Sequence, residues 1–398
     1  MDGHDPTPLP RDDAEANVER SESGALNTSA RALVVGAALG TPDALGGIEE
    51  DVGALGFEAV PDRWGDWADR QNLHDASNVV LRGYGLIDEI RRREAVPFAA
   101  AGAPELLPQR ADIWPAVARG DRAACVAWLR MLMTDDEPVA AASAATALAD
   151  WHFDEDSLIP PAFQSARQIS LVMASESPSS LAREISVAAI GERPGTDLLD
   201  PAEDTRTLLP STEQPPRQGS VSLLVHGTGA WAGDWWSLGG DFHTFIRNGV
   251  RPDLYAGGSP FEWSGKYNDK HRRIAAARLA RWAQWTAGGA LHTVLAHSYG
   301  GIIALHATTH GLKIKELILL SVPVEKVDIE WANIASTASL RIHLDLVLLA
   351  ARRRQAFNLP VAEHFLPRWF RNHADSHGVD VWNEYGAAGA LGLTTSSV

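Results

Sequence analysis

Two regimes of apolar and polar patterning divide this chain. In its second half, short apolar runs bounded by glycine and polar residues recur at Val221–Val225, Leu291–Leu295, Lys315–Pro323 and Leu340–Leu344. Runs of that length, rich in β-branched residues and closed by turn signals, predict buried strands. Helical spacing fills the intervals, over Lys270–Thr286 with Trp282 and Trp285 three apart, from Gly301 to about His310, and over Leu346–Arg354. Strands alternating with helices predict an α/β class with a parallel sheet. In the first half, Ala123–Leu132, Val139–Trp151 and Leu181–Ile190 are alanine-rich with apolar residues at helical spacing.

The N-terminal third is harder to assign. Residues 1–30 are polar and proline-marked, which predicts a disordered tail. Arg31–Gly36 then reads as a strand, Ile48–Leu55 as a helix and Gly56–Val60 as a second strand, so 31–105 is expected to be a small α/β segment. Its order of elements resembles the opening of a caspase-like fold. Cys125 lies in a helical stretch and His74 lacks a suitable setting, which argues against a working cysteine protease. Residues 106–192 form the helical module, where Asp136-Glu137-Pro138 before an alanine-rich helix resembles a HEAT-type repeat. Residues 193–218 carry Pro194, Pro201, Pro210, Pro215 and Pro216 and read as a linker into a last domain, 219–398.

The candidate chemistry lies in that last domain. The run Leu295-Ala296-His297-Ser298-Tyr299-Gly300-Gly301 stops a strand abruptly at a serine and continues through small residues into a helical segment. A sharp strand-to-helix turn of this kind lifts the hydroxyl above the sheet edge, where a base and a substrate carbonyl can both reach it. About 70 residues upstream, Leu223-Leu224-Val225 runs into His226-Gly227-Thr228-Gly229. With Phe261-Glu262-Trp263-Ser264-Gly265 and the tail His373–Trp382, these motifs make 219–398 resemble a bacterial α/β-hydrolase of the serine esterase/lipase-like group.

The resemblance implies a C-terminal α/β-hydrolase sheet sandwiched by helices, with Ser298, Asp345 and His373 as a catalytic triad. It implies an oxyanion hole from the backbone N–H groups of Thr228 and Tyr299, with Gly229 the other upstream donor. Asp345 stands at a strand's end, where open α/β sheets carry site residues, and can equally be the N-cap of Leu346–Arg354. Asp328 and Glu330 are the alternative acids. His373 and His377 share one polar loop, and His377 is the alternative base; His364 reads as part of a packed helix end. Gly229, Trp231 and His297 are expected around the substrate, and Trp231, Trp235 and Trp236 either line an acyl pocket or belong to the core. Two departures from the family pattern stand out. Ala296 replaces its usual glycine, and the short segment Glu325–Thr337 leaves no room for a large lid there.

Composition narrows the partners. A net charge of −16 disfavours nucleic acid and anionic membranes, which call for basic patches. No apolar run is long enough to span a bilayer, and no secretory h-region opens the chain. The single cysteine, Cys125, precludes an internal disulfide and fits a reducing, cytoplasmic setting. No cofactor is expected, and no His/Cys/Asp spacing argues for a metal. Two functions follow: a serine hydrolase taking a small ester or acyl substrate, and a non-catalytic hydrolase scaffold whose helical module binds a protein partner.

Overall fold

The computed structural model describes residues 13–40, 42–46, 48–58, 67–94, 113–149, 160–191, 219–229, 234–257, 260–354, 361–367 and 370–393. Among the described residues nine α-helices precede the sheet: α1 Asp13–Gly40, α2 Glu49–Ala54, α3 Trp67–Gly83, α4 Ile87–Glu94, α5 Trp114–Ala118, α6 Arg122–Met133, α7 Pro138–Ala149, α8 Pro161–Glu176 and α9 Ser180–Gly191. The helices expected over 123–132, 139–151 and 181–190 correspond to α6, α7 and α9, and the one over 48–55 to α2. Local chemistry starts two of them. Asp121 accepts from Ala124 N at 2.8 Å to cap α6. The Glu137 carboxylate accepts from Val139 N at 3.1 Å and Ala140 N at 2.5 Å, satisfying first-turn amides of α7.

Two expectations for the N-terminal third are overturned. Residues 31–36 belong to α1, and 56–58 form no strand, so the described part of 31–105 is helical and carries no caspase-like strands. The polar stretch 13–30, expected as a disordered tail, is the first part of the same helix. The reason is packing. Ala32, Leu33, Val34, Val35, Ala37, Ala38 and Leu39 are all buried, so α1 is apolar all round at its C-terminal half. A continuous apolar run does not distinguish a buried helix from a buried strand. Gly36 lets α1 cross α7 closely, since a Cβ there would stand 2.6 Å from the Ala147 Cβ. Residues 1–12, the proline-rich 192–218 and Trp231 lie outside the described residues.

The sheet follows. Strands β1 Leu223–Val225, β2 Ala290–His297, β3 Lys313–Leu320, β4 Ile334–Arg341 and β5 Ala362–Phe365 pair in sequence order, all parallel. The class is therefore mixed α/β. His364, read from sequence as part of a helix end, is in β5 opposite Leu340. Among the described residues six further α-helices lie between or after the strands: α10 Asp241–Phe245, α11 Asp269–Ala287, α12 Tyr299–Ala307, α13 Leu346–Ala350, α14 Val379–Glu384 and α15 Ala387–Ala390. The pleat sends Leu223, Val225, Leu317 and Leu319 toward α11 and α12. It sends Leu224, Ile318 and Leu320 the other way, against Phe242, Trp382 and Leu391.

The nine N-terminal helices share one core with α13. Leu344, Leu346, Val347 and Leu349 are buried in the same cluster as Leu33, Leu148 and Ile185. Polar contacts stitch the same seam: Arg352 Nη1 donates to Leu33 O at 3.4 Å, and Asp51 Oδ2 lies 3.2 Å from His343 Nδ1. Among the described residues no helix is long and apolar enough to cross a membrane.

Candidate active site

Strand β2 ends at His297 and α12 begins at Tyr299, so Ser298 alone makes the turn. Its backbone stands at φ 52°, ψ −134°, a region costly for a residue with a Cβ. The neighbours hold it there. Ser298 N donates to Leu320 O at 2.9 Å, and Gly301 N donates to Ser298 O at 2.9 Å. Glycine is required on the helix side of the turn. A Cβ on Gly300 would lie 2.5 Å from His226 O, and one on Gly301 would run into Val322. A Cβ on Gly227 would lie 2.6 Å from the Ser298 Cβ, so the loop after β1 rests directly on the serine.

That loop is itself fixed. Trp263 Nε1 donates to His226 O at 2.8 Å, and the Trp263 and His226 rings stack at 5.6 Å. Trp236 covers His226 from 4.3 Å. Gly229 N donates to Gly265 O at 3.1 Å, which commits the Gly229 amide and leaves Thr228 as the candidate donor on this loop. Across the turn, Tyr299 opens α12 directly after the serine, so its N–H stands at the start of that helix.

Asp345 divides its two oxygens between two partners. Its Oδ1 accepts from Val347 N at 3.0 Å and Leu348 N at 3.1 Å, capping α13. Its Oδ2 accepts from His373 Nδ1 at 2.6 Å. Asp345 is 1% and His373 5% exposed, so the pair is dry. His373 opens a 3-10 turn, His373–His377, held by a capping box between Asn372 and Asp375. Burial alone would lower the His373 pKa, but the charge and hydrogen bond of Asp345, with Glu184 and Asp375, raise it above its ordinary value. His373 Nε2 is buried without a hydrogen-bond partner among the described residues, so no bond joins it to Ser298.

The other sequence candidates take different places. His377 stacks on Trp235 at 4.0 Å and meets His297 edge-on at 4.6 Å, and burial drives its pKa down to about 3. His297 packs its ring 4.5 Å from that of His373, and its Nε2 lies 3.4 Å from His373 O. Burial keeps His297 neutral, well below the usual histidine range. Asp328 offers its backbone carbonyl to His306, and the Glu330 carboxylate accepts from Ala332 N, whereas the acid bonded to His373 is Asp345. Trp235 leans its ring on His297 at 5.5 Å.

Trp263 and His226 belong to motifs that carry the resemblance, and the structure adds what they do: together they support the Gly227 loop. One contributor escapes sequence reading. Glu184 reaches the site from α9, more than 100 residues away in sequence; it acts electrostatically on both His373 and Asp345, and burial raises its own pKa. No group of three or more His, Cys, Asp or Glu among the described residues is arranged to hold a metal ion. No protein-family model matches the chain, and a search of the curated proteins finds no relative.

Proposed function

We propose that this chain is a serine hydrolase of the α/β-hydrolase type, cleaving an ester, thioester or amide through an acyl-enzyme. The observation that carries the reading is the Asp345–His373 hydrogen bond of 2.6 Å, formed beside a serine held at positive φ between a strand and a helix. Asp345 fixes the tautomer with hydrogen on Nδ1, which leaves Nε2 of His373 as the base for the Ser298 hydroxyl. The Ser298 oxygen attacks the acyl carbon, and the N–H groups of Thr228 and Tyr299 receive the charge that develops on the carbonyl oxygen. Protonated His373 then hands its proton to the leaving group, and a water hydrolyses the acyl-serine by the reverse sequence. Gly229 supports this hole through its bond to Gly265, and His297 and Trp235 border it.

A second reading, a non-catalytic hydrolase scaffold that engages a protein partner through its helical layer, is favoured by one observation. His373 Nε2 and Ser298 share no hydrogen bond. Such bonds are often long in apo enzymes and tighten only with substrate. A fluorophosphonate probe with mass-spectrometric mapping separates the two. The hydrolase labels at Ser298 and loses labelling in Ser298→Ala. A folded chain that labels nowhere is the scaffold, and one that labels at a different serine overturns the assignment of the nucleophile.

A further inference from the structure

We propose that Arg353 and Arg272 are positioning residues for the oxyanion hole, clamping the side chain of Tyr299 and through it the Tyr299 N–H. The proposal rests on the hydrolase reading. Tyr299 follows the serine directly and is 2% exposed. Arg353, just past α13, donates from Nε to the Tyr299 hydroxyl at 3.1 Å. Arg272, near the start of α11, lays its guanidinium 4.3 Å over the centre of the same ring. Arg272 Nη1 also donates to Tyr267 O at 2.9 Å, and the Tyr267 ring meets that of Tyr299 edge-on at 6.2 Å. Glu325, beyond β3, joins the two cations: its Oε1 lies 3.2 Å from Arg353 Nη2 and 3.7 Å from Arg272 Nη2. The segments bearing Glu325 and Arg353 are tied in turn, Val324 N donating to Arg354 O at 2.9 Å.

Such a cluster is a poor way to gain stability. Ionic groups are costly to withdraw from water, and well-packed apolar side chains in their place are often as stable or more so. The side chains of Arg272 and Glu325 are nonetheless 5% and 8% exposed. What the cluster supplies is direction. Ser298 stands at φ 52°, and a strained turn keeps its shape only where its surroundings over-determine it. On the strand side Leu320 O does so by accepting from Ser298 N. On the helix side the adjoining residue is Tyr299, whose ring is held at its hydroxyl and on one face. A tyrosine side chain turns about only two bonds, so a fixed ring restrains its own Cα and the N–H beside it. Placement matters there, since an error of about 1 Å can cost about 10²-fold in rate. α13 thus serves both halves of the site: Asp345 at its start holds His373, and Arg353 past its end holds Tyr299.

Kinetics of fluorophosphonate labelling on the full-length chain test this, resolved into the affinity of the first complex and the rate of the bond-forming step. An alkyl trifluoromethyl ketone, which the serine converts to a hemiketal oxyanion, is measured by competition with labelling. Tyr299→Phe removes the hydroxyl, and Arg353→Gln removes its donor. Each is expected to slow the bond-forming step about tenfold with the first complex unchanged, and to weaken the trifluoromethyl ketone in parallel. That is less than the loss of about 10²- to 10³-fold when an oxyanion donor is removed outright. The double variant should lose no more than either single one, because both break the same bond. Arg353→Lys, which keeps a donor and the charge, restores part of the rate. A folded Tyr299→Phe with the wild-type rate and ketone affinity overturns the proposal, whatever its melting temperature. So does a loss confined to the first complex. If Arg353→Gln does not fold, Tyr299→Phe, which lacks a single oxygen, decides alone. A wild type that labels nowhere sinks the hydrolase reading and the proposal with it, whereas a labelling wild type with indifferent variants sinks the proposal only.

Discussion

Gly227 lies so close to Ser298 that a Cβ built on it would stand 2.6 Å from the serine Cβ, inside the distance real side chains tolerate. The same position is 3.1 Å from His297 O and 3.2 Å from His297 Nδ1. The loop after β1 and the turn after β2 therefore share one boundary. Anything added to Gly227 must push either the nucleophile or the loop that carries Thr228. Gly227→Ala is expected to fold but to lose about 10²- to 10³-fold in probe-labelling rate, the scale of losing an oxyanion donor. Labelling near the wild-type rate would show that the Thr228 amide has no part in the hole.

Asp345 separates its structural and chemical roles by oxygen, and two substitutions should separate them by measurement. Asparagine caps helices as well as aspartate, so Asp345→Asn is expected to keep α13 and melt close to the wild type. It presents His373 Nδ1 with the wrong partner and should lower kcat on an activated ester by about 10⁴-fold. Asp345→Ala should lose both, with an added cost of about 1 kcal/mol from the missing cap. Equal melting temperatures for the two variants would show that the cap contributes little.

The pH dependence follows from the histidines. His373 must be neutral to accept the Ser298 proton, and its pKa is raised, so kcat/KM should fall on the acid side at a pH above the ordinary 6.5. Stability runs the other way for this group. Its raised folded pKa contributes fully below 6.5 and is lost as pH rises through the folded value. His74 and His226, lowered to about 4, and His377, lowered to about 3, act oppositely. They cost nothing above 6.5, and their penalty grows as pH falls from there toward 3, because the unfolded chain binds protons that the folded chain refuses. Chemical denaturation at a series of pH values should show stability declining below 6.5 before most carboxylates titrate. A profile flat from pH 6.5 to 5 would contradict the buried neutral state of these rings.

The shared core predicts how the chain responds to cutting. Proteolysis within 192–218 should leave two fragments that elute together, because Leu346, Val347 and Leu349 are buried against α1, α7 and α9. Expression of 219–398 alone should give insoluble protein, since that apolar patch would face water. Gly36→Leu, forced against Ala147, should destabilise the chain by about 1–3 kcal/mol through overpacking. Fragments that separate on a sizing column would show that the interface is weak.

What could be read from the sequence was what depends on neighbours along the chain. Ser298, Asp345 and His373 each stand at an element's end marked by an abrupt change of composition, and parallel sheets carry functional groups there. From sequence His373 and His377 differed only by their place in one loop, and the ring that meets Asp345 is that of His373. Arg31–Gly36 was misread because Leu33, Val34 and Val35 suit a strand, and only the crossing with α7 reveals a helix buried on all sides. Glu184 was out of reach altogether. It stands on α9, whose packing against α13 is a contact no local pattern encodes.

The seam between Leu33 and Arg352 joins residues 319 positions apart. On the ribosome, α1, α7 and α9 emerge with an apolar groove that nothing yet fills. The segment that fills it, 344–351, arrives roughly ten to thirty seconds later at ordinary rates of synthesis. Through that interval the nascent helices expose the surface on which α13 will close, a natural moment for a chaperone to bind. The carboxylate bonded to His373 is the cap of the closing helix, so the last step of burying the groove and the first step of assembling the site are one event in the life of the chain.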